Sequence, residues 1–379
     1  MADILDYLRW RGDLSLNNSP FNAVDSLILS VLSYLPLGGI VPDTLDTSGI
    51  SIAEAAALLS EANLKNLPIR DKRDLELISA LAGSERFKNM KLCAYVDEID
   101  IEEEKQFAAM TILTGDKHAY LAFRGTDLTL VGWKEDFNMS FLSPVPAQTA
   151  ALAYLERVAS GLRGKLRLGG HSKGGNLAVY AAAFCGSRTQ KRIQSVYNND
   201  GPGFDSPVLL RDGYTRVKER LFSFVPQSSI IGMMLEHHEH YTVVQSRQVG
   251  LLQHDPYSWN LLGADFITVQ NVNDSSIFVD RTLKDWVGGL EPAHRELFVD
   301  ALYEILVSTE ATTLPELAGN WIKGLKAASK TLKELDGPTK KVIQDALWQL
   351  VKAAKDNLQA MLPSFLPSRA KKETDTIEE

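Results

Sequence analysis

Apolar positions change their rhythm twice along the chain. Through the first 90 residues they recur every three or four positions, the spacing of helices that bury one face. Asp25-Ser-Leu-Ile-Leu-Ser-Val-Leu-Ser-Tyr-Leu predicts a short apolar helix with Asp25 as its cap, stopped by Pro36-Leu-Gly-Gly. Ser51-Ile-Ala-Glu has the spacing of a capping box and opens a second helix that continues to Ala62. Residues 74–82 predict a third. Beyond residue 91 the period shortens to two. Segments 92–99, 106–114 and 118–123 are β-branched or aromatic runs, separated by an acidic stretch and by Gly115-Asp-Lys, the pattern of a strand meander. Helical and strand signals then alternate, with helices at 148–162 and 174–185 and strands at 165–168, 193–197, 221–225 and 241–245. A meander followed by alternation predicts an α/β fold with a mixed, mainly parallel sheet and helices on both faces. From about residue 282 the strand signal stops. Val342, Ile343, Leu347, Leu350, Ala354 and Leu358 then mark an amphipathic helix, and the charged end reads as a frayed tail. The expected organisation is a helical N-terminal segment at 1–90, an α/β core at 91–281, and a helical C-terminal extension at 282–379.

Composition narrows the function classes. A chain of 379 residues with 45% hydrophobic content can bury a large core without a metal or disulfide staple. Its net charge of −8 disfavours general nucleic-acid binding, which rests on neutralising phosphates. Cys93 and Cys185 stand in no paired-cysteine motif and are expected to pack as reduced thiols. The first residues lack a basic start followed by an apolar run, so no secretory signal is expected. The longest apolar stretch, near 26–40, is broken by Ser30, Ser33, Pro36 and two glycines and is too short to span a bilayer. These features predict a soluble, cytoplasmic protein. His237, His238 and His240 crowd one polar loop without a further spaced ligand, which predicts solvated side chains and no metal site. The C-terminal amphipathic helix allows two roles: packing on the core or a partner subunit, or peripheral docking on anionic membrane. Its basic face is interrupted by Asp345 and Asp356, which favours packing.

One motif carries chemistry. Gly170-His171-Ser172-Lys173-Gly174 matches G-x-S-x-G, and a strand runs into it while an alanine-rich helix follows. That strand–turn–helix setting is what a nucleophile elbow needs: the turn lifts Ser172 above the sheet, and glycines leave room where Cβ atoms would clash. The helix N-terminus then presents free N–H groups to a developing oxyanion. A phosphate loop is excluded, because Gly175-Asn176 stands where Lys-Ser/Thr would be required.

Upstream lie Phe123-Arg124-Gly125-Thr126 and Trp133-Lys-Glu-Asp136. Together with the elbow they resemble class 3 lipases, the fungal-type branch of the α/β hydrolases, over roughly residues 90–260. The arrangement also resembles a bacterial family of lipase-like proteins for which likeness supplies a fold and no substrate. The resemblance implies an α/β-hydrolase fold with no cofactor. It also implies an oxyanion hole built from the backbone N–H groups of Thr126 and Lys173.

The general base should be a histidine downstream of the serine, because this fold orders its triad Ser, acid, His. His254, in Gln253-His-Asp-Pro-Tyr, follows the last predicted strand and matches the place where lipases carry theirs. The acid is less direct. Relatives of this type hold it in a D-x-V-P loop, whereas here Val225-Pro-Gln-Ser-Ser puts Ser229 about where the Asp would be. Asp200, just after the preceding strand and between Ser172 and His254, is the first choice. Asp255 beside the histidine is the alternative, and Asp136 is assigned to steadying the oxyanion loop. The resulting expectation is a serine esterase or lipase acting on a small acyl ester or lipid. The alternatives are a thioesterase or acyltransferase on the same triad, or a binding protein that kept the fold and lost turnover.

Overall fold

The computed structural model describes residues 1–62, 67–127, 129–139, 142–272 and 292–307, with isolated positions at 278–289 and 337–352. Helices α1 (Ile4–Arg11) and α2 (Ala23–Leu32) lead to a two-residue strand β1 (Ile50–Ser51), then to α3 (Ile52–Glu61) and α4 (Lys72–Ala82). The meander follows as β2 (Lys91–Asp100), β3 (Lys105–Leu113) and β4 (His118–Phe123). Next come α5 (Leu130–Asn138), α6 (Pro146–Gly161), β5 (Lys165–His171), α7 (Lys173–Phe184), α8 (Ser187–Gln190) and β6 (Ile193–Asn199). Then α9 (Ser206–Leu209), α10 (Asp212–Lys218), β7 (Leu221–Pro226) and β8 (Tyr241–Val244) complete the main sheet. A small hairpin, β9 (Leu261–Leu262) with β10 (Asp265–Phe266), and α11 (Pro292–Val307) end the described chain.

The eight main strands lie side by side in sequence order. Pairing is antiparallel from β1 to β4 and parallel from β4 to β8. That order has a physical consequence. Each parallel crossover steps to the next strand in one direction, and crossovers are right-handed, so their helices must lie on one face. Accordingly α6, α7, α9 and α10 pack with Phe107, Leu121, Phe123, Leu166 and Leu168 of the sheet in one buried cluster. The opposite face is covered instead by the N-terminal segment. There Tyr7, Leu27, Ile28, Leu32 and Leu77 pack on Met110, Ile112, Tyr120 and Ala122. The alternation in β4 is visible directly: Leu121 and Phe123 face the crossover helices, Tyr120 and Ala122 the N-terminal ones. A strand buried on both faces reads as one apolar run, as this one does. The architecture is that of an α/β hydrolase.

Helices do cover both faces, but two different parts of the chain supply them. Several local expectations need correction. The cap of α2 is Asn22, while Asp25 is the third residue of the helix and closes the capping box from inside. Buried Asp25 also holds the Arg86 guanidinium and the Tyr7 hydroxyl, so its role is tertiary. Ser51 and Glu54 form the capping box as predicted. Helix α5 and the hairpin after His254 carried no clear periodic signal and were not expected. His237 is not solvated: its side chain is 5% exposed and its Nδ1 meets Glu239 at 2.9 Å. His238 and His240 are exposed, as predicted. Among the described residues no helix is long and apolar enough to cross a membrane. The predicted amphipathic helix and tail beyond residue 313 lie outside the described segments, apart from isolated positions.

Candidate active site

Strand register brings the site to one edge. Phe123 pairs with Gly170, His171 with Asn199, and Asn199 with Phe224. The residues that follow β4, β5 and β6 therefore emerge together at the carboxyl ends of the parallel strands, where ligand crevices form in such sheets. They are the 124–127 segment, Ser172 and Asp200.

Ser172 has φ 60° and ψ −136° and stands at the N-terminus of α7. A non-glycine residue in this region costs on the order of 1–3 kcal/mol, so the surrounding structure must hold it there. The flanking glycines are the reason it can. A Cβ at Gly170 would lie 2.2 Å from the Gly174 carbonyl carbon, and one at Gly174 would lie 2.1 Å from the Phe123 carbonyl oxygen. Strand and helix backbones are in contact, which is what exposes the serine at the turn. Among the described residues no hydrogen bond joins Ser172 Oγ to His254. In sites of this kind the nucleophile–base bond often tightens only with substrate in place.

His254 lies on the loop after β8, and its Nδ1 is 2.6 Å from Asp200 Oδ2. A carboxylate only accepts, so Nδ1 carries the proton and Nε2 of the neutral ring is left as an acceptor. Asp200 is 1% exposed. Its second oxygen accepts from the hydroxyl of Ser229, the residue that stands where the sequence resemblance would put the acid. The close fit needs Gly232, where a Cβ would sit 2.2 Å from Asp200 Oδ1. Asp255 points elsewhere: one oxygen accepts from Arg73 Nη1 at 2.9 Å and the other caps the turn at Tyr257.

The two residues implied as oxyanion donors have their side chains tied to neighbouring carboxylates on α5. Thr126 Oγ1 donates to both oxygens of Asp136, at 2.6 and 2.5 Å. Lys173 is 1% exposed, and its Nζ donates to Glu135 Oε2 at 2.8 Å, Gln106 Oε1 at 2.8 Å and the Gln106 carbonyl at 3.0 Å. All three ammonium protons are thereby used. Glu135 also accepts from the backbone N–H groups of Gln106 and Ala147. Burial raises the Asp136 carboxyl to about 6, opposed by the Lys173 charge and the Thr126 hydrogen bond.

Two contributors gave little sequence signal. His171, in the elbow itself, is buried, and burial followed by the His254 charge holds its pKa well below the usual histidine value. The neutral ring has one proton. Its Nε2 lies 2.8 Å from the His254 carbonyl, which can only accept, so Nδ1 accepts from the Tyr34 hydroxyl 3.0 Å away. The His171 and His254 rings lie 4.6 Å apart. Tyr34 and His171 thus fix the backbone of the proposed base. Cys93 and Cys185 are buried, and burial pushes both thiols up, to about 11 and about 12, so neither is an activated nucleophile.

Residues 81–304 match the model of a family described as Mbeg1-like. No curated protein matches the chain. Among solved structures, the Rhizomucor miehei lipase–propeptide complex is similar at 14% identity and a TM-score of 0.30, over 45% of this chain and 59% of the lipase. M37 lipase is similar at 16% identity and a TM-score of 0.32, over 55% of this chain and 68% of that one. The chain therefore spans less than two thirds of the Rhizomucor protein, and likenesses this remote bear on no residue or activity.

Proposed function

Given that this chain belongs to the Mbeg1-like family, we propose that it is a lipase-like serine hydrolase that cleaves carboxylic esters. The observation that carries the reading is the buried Asp200 bonded to His254 Nδ1 at 2.6 Å, beside a serine on a strained strand–helix turn. In the proposed reaction His254 Nε2 takes the Ser172 proton as Oγ attacks the acyl carbonyl, and the protonated ring then hands it to the departing alcohol. Asp200 keeps the ring in the required tautomer and stabilises its charge. The N–H groups of Thr126 and Lys173 meet the developing oxyanion, and water releases the acyl-enzyme by the same route in reverse. Ser229 in the acid's usual place was the feature that spoke for a binding protein without turnover. A carboxylate reaching the histidine from β6 supports the enzymatic reading instead. Fluorophosphonate labelling and p-nitrophenyl butyrate hydrolysis test it, with both expected to vanish in Ser172→Ala while the fold persists. Turnover that survives this change would refute the mechanism.

A further inference from the structure

The loop after β7 carries no carboxylate, yet it bonds to Asp200 and to the residue before His254. Asp200 reaches it from the end of β6. The Asp200 backbone lies in the left-handed region at φ 56°, and its N–H donates to the Phe224 carbonyl of β7 at 2.8 Å. Ser229, 2% exposed, then holds the side chain, its hydroxyl donating to Asp200 Oδ1. The direction of that bond is fixed. The Gly232 N–H donates to Ser229 Oγ at 2.9 Å, and a carboxylate only accepts, so the hydroxyl proton points at Asp200. With Oδ1 held there, Oδ2 is the oxygen turned to His254 Nδ1.

The neighbouring residue does the same for the base. The Ser228 N–H donates to Gln253 Oε1 at 2.7 Å. Gln253 is 1% exposed, and its Nε2 donates to the Gln248 carbonyl at 2.7 Å. Its own carbonyl accepts from Trp259 Nε1 at 2.9 Å. Both polar ends of this side chain are thereby used, and His254 is the next residue. Two adjacent positions of one short loop thus fix the acid and the base relative to each other. We propose that Ser229 and Gln253 are positioning residues of the triad, and that the loop at 226–232 is the template that sets Asp200 against His254. This rests on the hydrolase reading of Ser172, Asp200 and His254. Ser229 acts through Asp200, and Gln253 acts through His254. Serine at 229 is then the partner required by an acid that arrives from β6.

The test follows p-nitrophenyl butyrate hydrolysis by the full chain, with circular dichroism to confirm folding. Alignment of the acid matters most as His254 gains its charge, so the loss should fall on kcat and leave KM little changed. Ser229→Ala is expected to lower kcat about 10- to 100-fold, the worth of one hydrogen bond to a charged group. Gln253→Met keeps the bulk, removes the acceptor for Ser228, and is expected to lower kcat about tenfold. A double-mutant cycle separates positioning from packing. In an Asp200→Asn background Ser229→Ala should cost at most about twofold more, because the carboxylate through which it acts is already lost. A Ser229→Ala fall of equal size in both backgrounds overturns its role, and so does a rise in KM with kcat unchanged. Should Ser229→Ala fail to fold, Gln253→Met decides alone, and an unchanged kcat there overturns the template. Each of these results leaves fluorophosphonate labelling of Ser172 in the native protein intact. Absence of that labelling and of turnover overturns the hydrolase reading and the template with it.

Discussion

Asp200 is a buried carboxylate with two donors, one the proposed base and the other a serine that could have been expected to be an acid. Replacing it by Asn presents His254 with a donor as readily as an acceptor, and the ring loses its fixed tautomer. Asp200→Asn is expected to lower kcat about 10⁴-fold, as loss of a triad acid does. Asp255→Asn should cost far less, because that carboxylate is committed to Arg73 and Tyr257. The comparison of kcat on p-nitrophenyl butyrate checks both, and a reversed ranking would move the acid to Asp255. Asp136 gives a pH-dependent expectation. Its two oxygens face Thr126, and burial raises the carboxyl from 3.8 to about 6 although a third of the side chain remains exposed. The folded state then binds this proton more tightly than the unfolded chain. Its contribution to stability is complete below the unfolded value and is lost as pH rises through about 6. Asp136→Asn removes that loss, so Tm of the variant minus Tm of the native protein should become more positive between pH 4 and pH 7.5. A difference independent of pH would contradict it.

Helix α5 acts as a brace for both proposed oxyanion donors, with Glu135 holding the Lys173 side chain and Asp136 that of Thr126. The buried Lys173–Glu135 pair is costly to break on one side only, because the surviving charge loses its partner without regaining water. Lys173→Met should therefore destabilise by about 3–5 kcal/mol. Lys173→Met combined with Glu135→Gln leaves neither charge of the pair buried and keeps a carbonyl acceptor for one of the two backbone N–H groups, so part of that loss should return. Urea unfolding of native, single and double variants measures the coupling, and a double variant no more stable than the single would show that the charges are not the cause. Kinetics on the double variant then report on the brace itself. A fall in kcat with KM little changed is expected if the two N–H groups lose alignment, since they act in the transition state.

At the scale of the molecule, sequential parallel strands leave one sheet face without crossover helices, and the first 82 residues close it. Leu27, Ile28, Leu29 and Leu32 are fully buried there, and each such side chain contributes about 1.5–3 kcal/mol when buried. Four of them rival the entire net stability of a domain, about 5–15 kcal/mol. A chain beginning at residue 84 keeps the elbow, Asp200 and His254 but is expected to lose cooperative unfolding and to aggregate. Thermal denaturation followed by circular dichroism checks this, and a soluble truncated protein with a sharp transition would refute it.

The sequence by itself determined those features whose cause is local. The meander and alternation follow from a period of two giving way to mixed periods, and the elbow follows from glycines flanking Ser172 between a strand and a helix. The Ser51–Glu54 capping box is equally local. The order Ser172, Asp200, His254 of the proposed triad was read from the order that fold topology imposes on edge loops. Other features depend on partners far apart in the chain. Ser30 read as an interruption of an apolar stretch, yet it and Ser26 both meet the Tyr120 hydroxyl across 90 or more residues. His171 read as a flanking residue until Tyr34, 137 positions away, fixed its tautomer. Chain order ranked Asp200 ahead of Asp255, but only strand register sets one carboxylate against the imidazole and only the approach of Arg73 turns the other away. Periodicity records which side of an element is buried, and packing alone decides what it is buried against.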